Sequence, residues 1–406
     1  MHTTPKGLRL HIGIFGRRNA GKSSVLNAVT GQGAAIVSEV PGTTTDPVEK
    51  AMELLPLGPV LFIDTAGIDD VGALGEQRVA RTRQAIERTD VAVLVAEAGR
   101  WDAFEDELLA ELKSAGVPVI AVMNKIDLAP AGAAAAGVDP APDVQVVRMC
   151  ATRSEGVTDF KEALLRVVPD SFLAPPAILG DLLAPGQMAV LVVPIDLEAP
   201  KGRLILPQVQ SIRDVLDNDA YCAVVKEREL RDLLDNLKRP PALVVTDSQA
   251  FLKVAADTPD DIPMTSFSIL FARFKGDLET FVAGAARIDE LRPGDRVLIA
   301  EACTHHPIGE DIGTVKIPRW LTQYVGGKLA FDFLRGRDFP AELGAYRLVV
   351  HCGSCTFNRR QLLTRILRCR QAGVPITNYG VAIAASLGIL PRALSPFPGL
   401  RPAAGS

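Results

Sequence analysis

The sequence predicts an α/β protein: a mostly parallel sheet covered on both faces, followed by two smaller α/β units. Three observations carry the prediction. Over residues 8–168, short apolar runs alternate with amphipathic stretches, the mark of strand–helix–strand units. The longest apolar runs, Val91–Ala96, Val117–Met123 and Met188–Pro194, are strand-sized, well short of the ~20 residues a membrane span requires. Proline-punctuated breaks at Pro169–Gln187 and near Asp257–Pro263 divide the 406 residues into three parts, in keeping with roughly 150 residues per domain.

In the first part, the short apolar runs Leu8–Phe15, Val60–Ile63, Val91–Val95 and Val117–Met123 read as strands. Lys22–Thr30, Glu76–Arg88, Ala103–Ala115 and Thr158–Val167 have helical periodicity. Ala129–Pro142 is rich in Ala, Gly and Pro and reads as a surface excursion. Pro169–Gln187 reads as a linker. The middle block predicts strands at Met188–Pro194 and Tyr221–Val225 and helices at Ser211–Leu216 and Glu227–Leu237. The last part predicts strands at Arg296–Ala300 and Tyr346–Val350, a helix starting near Cys355–Arg360, and a Pro-rich tail, Pro391–Ser406, lying along the surface.

Composition narrows the function. Lys+Arg total 44 and Asp+Glu 48, a formal net charge of −4, which speaks against a chain held on nucleic acid by its overall field. Met1–Leu10 lacks the apolar core of a signal peptide, so a cytoplasmic location with no membrane partner is expected. In a reducing compartment Cys150, Cys222, Cys303, Cys352, Cys355 and Cys369 form no disulfide framework. Three of them lie beside histidines, which points to a metal.

Gly16-Arg17-Arg18-Asn19-Ala20-Gly21-Lys22-Ser23 follows the first strand and opens a helix. This is the G-x-x-x-x-G-K-S phosphate loop in the context it needs. Backbone N–H groups from Gly16 through Asn19, Ala20 and Gly21 to Ser24, with the helix N-terminus, suit phosphate oxygens. Lys22 reaches the β- and γ-phosphates, and the Ser23 hydroxyl suits Mg2+. Asp64-Thr65-Ala66-Gly67 follows the second strand; its carboxylate supports Mg2+ through water and the Gly67 N–H faces the γ-phosphate. In Asn124-Lys125-Ile126-Asp127, Asp127 accepts from guanine N1–H and the exocyclic amine, a donor pair adenine lacks. Asn124 and Lys125 brace the base and the loop. Cys150-Ala151-Thr152 is a weaker match to the last base-contacting loop of GTPases.

Residues 8–168 resemble the TrmE–Era–Obg-like branch of small GTPases. The resemblance implies Thr44, in Gly42-Thr43-Thr44-Thr45-Asp46, as a Mg2+ ligand in the GTP state. It also implies Asn19 as a partner of K+, the ion replacing an arginine finger; a loop Asn that tolerates left-handed backbone is the plainer alternative. Ile68 stands where Ras-like enzymes have a water-orienting Gln, so slow intrinsic hydrolysis is expected.

A second constellation lies near the C-terminus. Cys303-Thr304-His305 and His351-Cys352-Gly353-Ser354-Cys355 each follow an apolar strand. In a parallel sheet the carboxyl ends of strands share one edge, where ligand sites form, so Cys303, Cys352 and Cys355 are expected to converge. Spacing leaves two metals open: structural zinc as Cys3His, or an iron–sulfur cube with one non-cysteine corner. Candidate fourth ligands are His305, His351 and Glu310, with His306 behind them. Cys150, Cys222 and Cys369 read as packing residues, and His2 and His11 as incidental.

The small GTPase, the middle block and C-x-H…H-C-x-x-C together resemble the HydF family of [FeFe]-hydrogenase maturation GTPases over essentially the whole chain. The resemblance implies a P-loop GTPase domain over 1–170, a small α/β dimerisation domain over 185–260 and an α/β cluster-binding domain over 261–395. It implies a [4Fe-4S] cluster on Cys303, Cys352 and Cys355, with the fourth ligand open. It further implies a homodimeric scaffold that receives a diiron precursor made with radical-SAM hydrogenase maturases and passes it to apo-[FeFe]-hydrogenase. GTP/GDP, with Mg2+ and K+, would act as the conformational switch. The competing reading is an RNA- or ribosome-associated GTPase with structural zinc; the sequence shows no basic–aromatic RNA module to support it.

Overall fold

A strand buried on both faces reads as one apolar run, and the strand Leu10–Phe15 (β1) is buried at every residue. The computed structural model describes residues 4–31, 36–40, 48–65, 82–129, 140–174, 176–194, 204–302, 311–336, 338–340 and 342–400. It divides into two units, Met1–Pro175 and Pro176–Ser406.

In the first unit, β1 is joined by Ile36–Val40 (β2), Val48–Leu54 (β3), Gly58–Asp64 (β4), Val91–Glu97 (β5), Val119–Asn124 (β6) and Gln145–Arg148 (β7). The sheet order is β2-β3-β4-β1-β5-β6-β7. The β2–β3 and β3–β4 pairs are antiparallel, the rest parallel. Period-two alternation splits the strands between two apolar layers. Leu10, Ile12, Ile14, Val93, Val95 and Val122 face a layer closed by Val25, Leu26 and Val29 of the Lys22–Gly31 helix and by Phe160 and Leu164 of the Val157–Val167 helix. Phe15, Ile63, Leu94 and Ala121 face the other, closed by Ile86 and by Leu108, Leu109 and Leu112 of the Ala103–Ser114 helix. Each such side chain contributes about 1.5–3 kcal/mol on burial.

The second unit holds two four-stranded sheets. Met188–Val192 (β8), Tyr221–Val225 (β9), Leu243–Thr246 (β10) and Met264–Ser266 (β11) run parallel in the order β11-β10-β8-β9. Arg296–Glu301 (β12), Ala330–Arg335 (β13), Leu348–His351 (β14) and Ile376–Asn378 (β15) run parallel in the order β13-β12-β14-β15. One continuous apolar core, from Ile178 to Phe397, serves both sheets. The boundary placed at 260/261 falls just before β11, which completes the first of these sheets.

Two expectations need correction. The Pro169–Gln187 stretch is not a free linker throughout. The Asp214 carboxylate accepts from the N–H groups of Ile178, Leu179 and Gly180 at 3.0, 2.8 and 2.7 Å, and Ile178, Leu179 and Leu183 are buried. Nor does the described part of the tail, residues 391–400, simply lie along the surface: Ala393 and Leu394 are fully buried, and Arg392 donates to the carbonyls of Thr258, Pro259 and Asp260; residues 401–406 lie outside the described residues. Prolines mark where a chain cannot continue a helix or sheet; they do not say whether it packs. The 130–139 segment and the 76–81 part of the Glu76–Arg88 helix lie outside the described residues, whereas 82–87 is helical. Among the described residues, no helix is long and apolar enough to cross a membrane.

Candidate functional site

In the first sheet the connection after β1 leads towards β4, whereas β5 leads the other way to β6 and β7. The order therefore reverses between β1 and β5, and the phosphate loop leaves β1 at that point, where ligands bind in open α/β sheets. Gly16 and Gly21 take φ of 134° and 94°. A Cβ would meet the Val95 carbonyl oxygen at 2.1 Å on Gly16 and Asn124 Nδ2 at 2.2 Å on Gly21, so only glycine fits either place.

Lys22 is buried and its Nζ donates to the carbonyls of Gly16 and Arg17 at 2.7 and 2.6 Å, which spans the loop it closes. Ser23 and Ser24 lie exposed in the first turn of the helix. The Ser23 hydroxyl donates to Asp64 Oδ2 at 3.0 Å, so β4 and the loop meet through the two predicted Mg2+-binding residues. Burial raises the Asp64 carboxyl above its ordinary value, against the opposing pull of Ser23 and Lys22. Asn19 sits at φ 64°, in the left-handed region, so the loop's turn alone accounts for an Asn there.

The base-reading loops interlock. Asn124, 2% exposed, donates from Nδ2 to the Ala20 carbonyl at 3.0 Å and accepts at Oδ1 from Ala151 N–H at 3.1 Å. One amide thus ties the phosphate loop to the last loop. Lys125 pairs with Glu97. The Cys150 thiol and Arg153 hold the Asp127 carboxyl below the usual carboxylate range, and Arg153 approaches it at 3.4 Å. Cys150, taken as a packing residue and also as the weak point of the base loop, is buried and contacts the Thr152 hydroxyl at 3.3 Å.

Arg17 carries a feature the sequence did not signal. Its guanidinium bonds Glu105 at 2.7 and 3.0 Å, pairs with Asp102 and stacks 4.8 Å over Phe104. It ties the loop to the start of the Ala103–Ser114 helix. Thr44, Gly67 and Ile68 lie outside the described residues.

The second constellation occupies the matching place in the last sheet. The connection after β12 leads out to β13, that after β14 leads the opposite way to β15, and β12 and β14 are hydrogen-bonded neighbours with Ala300 opposite His351. Ala302 N–H points at Cys352 Sγ at 3.1 Å, and Thr356 bonds the Ala302 carbonyl at 3.3 Å. The chain leading to residue 303 therefore lies against the cysteine loop. Neither Cys352 nor Cys355 is in a disulfide, and Cys355 is exposed and Cys352 half-buried. Cys303, His305, His306 and Glu310 lie outside the described residues, and among the described ones no group of three or more His, Cys, Asp or Glu forms a metal site.

His351, a candidate ligand from the sequence, buttresses the cysteine loop in this structure. It is fully buried, Nδ1 lies 2.9 Å from the Cys352 carbonyl, and Nε2 lies 2.9 Å from Arg365 NH1. Both ring nitrogens are thus engaged by the protein. Burial and Arg365 push the ring down to about 3, so it is neutral. Cys369 behaves as packing, its thiol pushed up to about 12 by burial, and Cys222 is half-buried in β9. His11 is not incidental either: it is buried, and its two nitrogens meet the carbonyls of Arg88 and Lys6 at 3.1 and 3.0 Å.

Sequence reasoning missed the residues around the cysteine loop. Lys275 is 2% exposed, and its Nζ donates to the carbonyls of Ser354, Cys355 and Phe357 at 3.0, 3.1 and 2.8 Å. Burial pushes its ammonium down to about 8, against the opposing charge of Cys355 and Cys352. Glu301, buried at the end of β12, accepts from Arg335 at 3.0 Å and from Tyr379 at 3.2 Å. A lone Lys after an apolar helix, and a Glu at a strand end, carry no motif.

Comparison with known proteins bears on both constellations. Residues 11–125 match the family model of the 50S ribosome-binding GTPase. Residues 178–276 match that of the hydrogen maturase F dimerization domain, and residues 279–396 that of the hydrogen maturase F tetramerization domain. The chain belongs to the hydrogen maturase F family. Its P-loop GTPase domain is also 39% identical over 162 residues to the tRNA modification GTPase MnmE of Paraburkholderia xenovorans, across 39% of this chain and 34% of that protein. The Chromobacterium violaceum MnmE is 35% identical over 160 residues, across 39% and 35%. The chain thus spans about a third of the length of these curated relatives. Among solved structures, the G domain of the T. maritima FeoB iron transporter matches with 22% identity, covering 40% of this chain and all but 1% of that one (99%), TM-score 0.31. Aquifex aeolicus Era bound to GDP and aluminium fluoride matches with 20% identity over 61% of this chain and 99% of that one, TM-score 0.34. In the hydrogen maturase F models the dimerization segment takes in β8–β11 and Lys275, and the tetramerization segment takes in β12–β15 and the cysteine loop.

Proposed function

We propose that this hydrogen maturase F protein is a GTP-switched scaffold for [FeFe]-hydrogenase maturation. It would carry a [4Fe-4S] cluster on Cys303, Cys352 and Cys355, take up a diiron precursor as cargo and hand it to apo-hydrogenase. The observation that carries the reading is the Ala302 N–H donated to Cys352 Sγ at 3.1 Å: residues 50 apart in sequence meet at one strand edge, one position before Cys303.

The donor set suits such a cluster. A backbone N–H aimed at the Cys352 sulfur and a buried ammonium beneath the loop both favour thiolate over thiol. When bound, the cluster supplies an iron corner not tied to cysteine, to which a second iron unit can attach and from which it can leave. The chain's own residues do the rest. His351 and Arg365 fix the strand end below the loop, and Lys275 and Thr356 hold the loop against Ala302. His305 and Glu310 stay open as the fourth ligand.

In the GTPase domain, Lys22, Ser23 and Asp64 would hold the phosphates and Mg2+, and Asp127 would select guanine. Thr44 and Gly67 would follow the γ-phosphate, so that order and disorder of their segments reports the nucleotide state. Asn19 would hold K+. The radical-SAM maturases would supply the precursor, a homodimer would form through the middle domain, and the three functional parts would follow the limits 1–170, 185–260 and 261–395, with the middle part extended past β11. The RNA reading finds no support in the overall charge, and the tRNA modification GTPases match only 39% of this chain.

Anaerobic reconstitution tests the scaffold. The wild-type chain is expected to take up iron and sulfide in equal amounts, and Cys303→Ser to lose them while GTP hydrolysis persists. Full cluster content in Cys303→Ser would refute the ligand assignment.

A further inference from the structure

A lysine buried to 2% at the end of the Phe267–Lys275 helix needs acceptors for every N–H it carries. Lys275 finds them on one loop: the carbonyls of Ser354, Cys355 and Phe357, at 3.0, 3.1 and 2.8 Å. Three carbonyl acceptors use three N–H donors, which only the ammonium form has. The loop needs this anchor. Ser354 sits at φ 55°, a left-handed turn that is strained for a residue with a side chain. The turn also aims the three carbonyls at the Lys275 Nζ, with the Ser354 carbonyl accepting from Phe357 N–H at 3.1 Å as well. Two further contacts complete the clamp: Ser354 Oγ with His351 Nδ1 at 3.2 Å, and Arg359 donating to the Phe274 carbonyl.

We propose that Lys275 is a positioning residue for the cysteine loop, its ammonium fixing the Cys352-Gly353-Ser354-Cys355 turn and setting a positive charge beside the two sulfurs. The proposal rests on the cluster-scaffold reading. It gives the segment matched by the dimerization model a direct hold on the loop in the segment matched by the tetramerization model. Ligand-orienting groups of this kind typically change metal affinity about 10–100-fold when removed. A positive charge taken from beside a cluster disfavours the added electron, so the midpoint potential moves to more negative values.

The full-length chain is tested as wild type, Lys275→Met, Lys275→Gln and Lys275→Arg. Each is reconstituted anaerobically with iron and sulfide. The readouts are iron per chain, midpoint potential by EPR-monitored titration, and amide hydrogen exchange of residues 352–358 in the iron-free protein. In Lys275→Met the loop amides are expected to exchange about tenfold faster, iron retention to fall by about 10–100-fold in affinity, and residual cluster to titrate at a more negative potential. Lys275→Arg, which keeps the charge and donors, is expected to recover most of both. Where Lys275→Met fails to fold by circular dichroism, Lys275→Gln is read by the same criteria. A neutral variant equal to wild type in iron, potential and exchange overturns the role of Lys275. A wild-type chain that takes up no iron sinks the scaffold reading itself, a different and separable result.

Discussion

The amide of Asn124 is the sharpest test of how the nucleotide site is held together. It is buried to 2% and makes two bonds that no other described side chain duplicates: Nδ2 to the Ala20 carbonyl at 3.0 Å and Oδ1 from Ala151 N–H at 3.1 Å. Asn124→Ala removes both. Each buried backbone group left unpaired costs about 1–2 kcal/mol at a rim that water can partly reach, so the two loops lose roughly 2–4 kcal/mol of mutual support. Nucleotide binding needs both loops in register, and the loss is paid on binding. At 1.4 kcal/mol per tenfold, Kd for GDP is expected to rise about 30- to 700-fold. Titration with a fluorescent GDP analogue measures it, with thermal melting as the control for folding. An Asn124→Ala protein that melts like wild type and binds GDP within about threefold of it would show that the loops are positioned by something other than this bridge.

Two other expectations follow from the same site and from the fold beneath it. Asp127→Asn should move base preference from guanine towards xanthine, read by competition between GDP and XDP; unchanged guanine preference would remove Asp127 from base reading. His11 is held neutral by burial, its ring lowered from 6.5 to about 4. The unfolded chain therefore binds more protons than the folded one between those values, and stability rises with pH there. Its contribution is fully present above pH 6.5 and is lost as pH falls towards 4, a change of about 3 kcal/mol. Urea midpoints of a Trp320→Phe protein, which leaves Trp101 to report on the first unit, should fall steadily from pH 7 to pH 4, and the fall should shrink in His11→Gln.

What the sequence disclosed depended on where burial made itself visible. β1, β5 and β6 are covered on both faces, so apart from His11 and the terminal Glu97 and Asn124 their residues are apolar and the strands stood out. β3 was hidden because Glu49, Lys50 and Glu53 make it read as polar; Glu49 is nonetheless buried, paired with Arg88 and Lys6. β10 and β11, at four and three residues, are too short for periodicity to register. The phosphate and base motifs were legible because backbone geometry demands particular residue types at fixed spacing. Lys275, Arg365 and Arg17 act through long-range contacts, and no local pattern announces them.

The approach of Ala302, the residue before Cys303, to the Cys352 sulfur depends on strand order rather than on spacing. Had the last sheet followed the chain as β12-β13-β14, the ends of β12 and β14 would stand two strand spacings apart, roughly 9.6 Å, beyond a direct contact between Ala302 and a Cys352 sulfur. β13 instead takes the outer edge, and β14 returns to lie directly against β12. The spacing becomes roughly 4.8 Å, and the N–H to sulfur bond follows. The nucleotide loop leaves β1 at the same kind of reversal, between β1 and β5. Each unit thus places its chemistry in the crevice outside the carboxyl ends of parallel strands, where connections diverge and leave two loops facing each other. A motif split across about fifty residues is what such a crevice requires, because each half is contributed by a separate strand end.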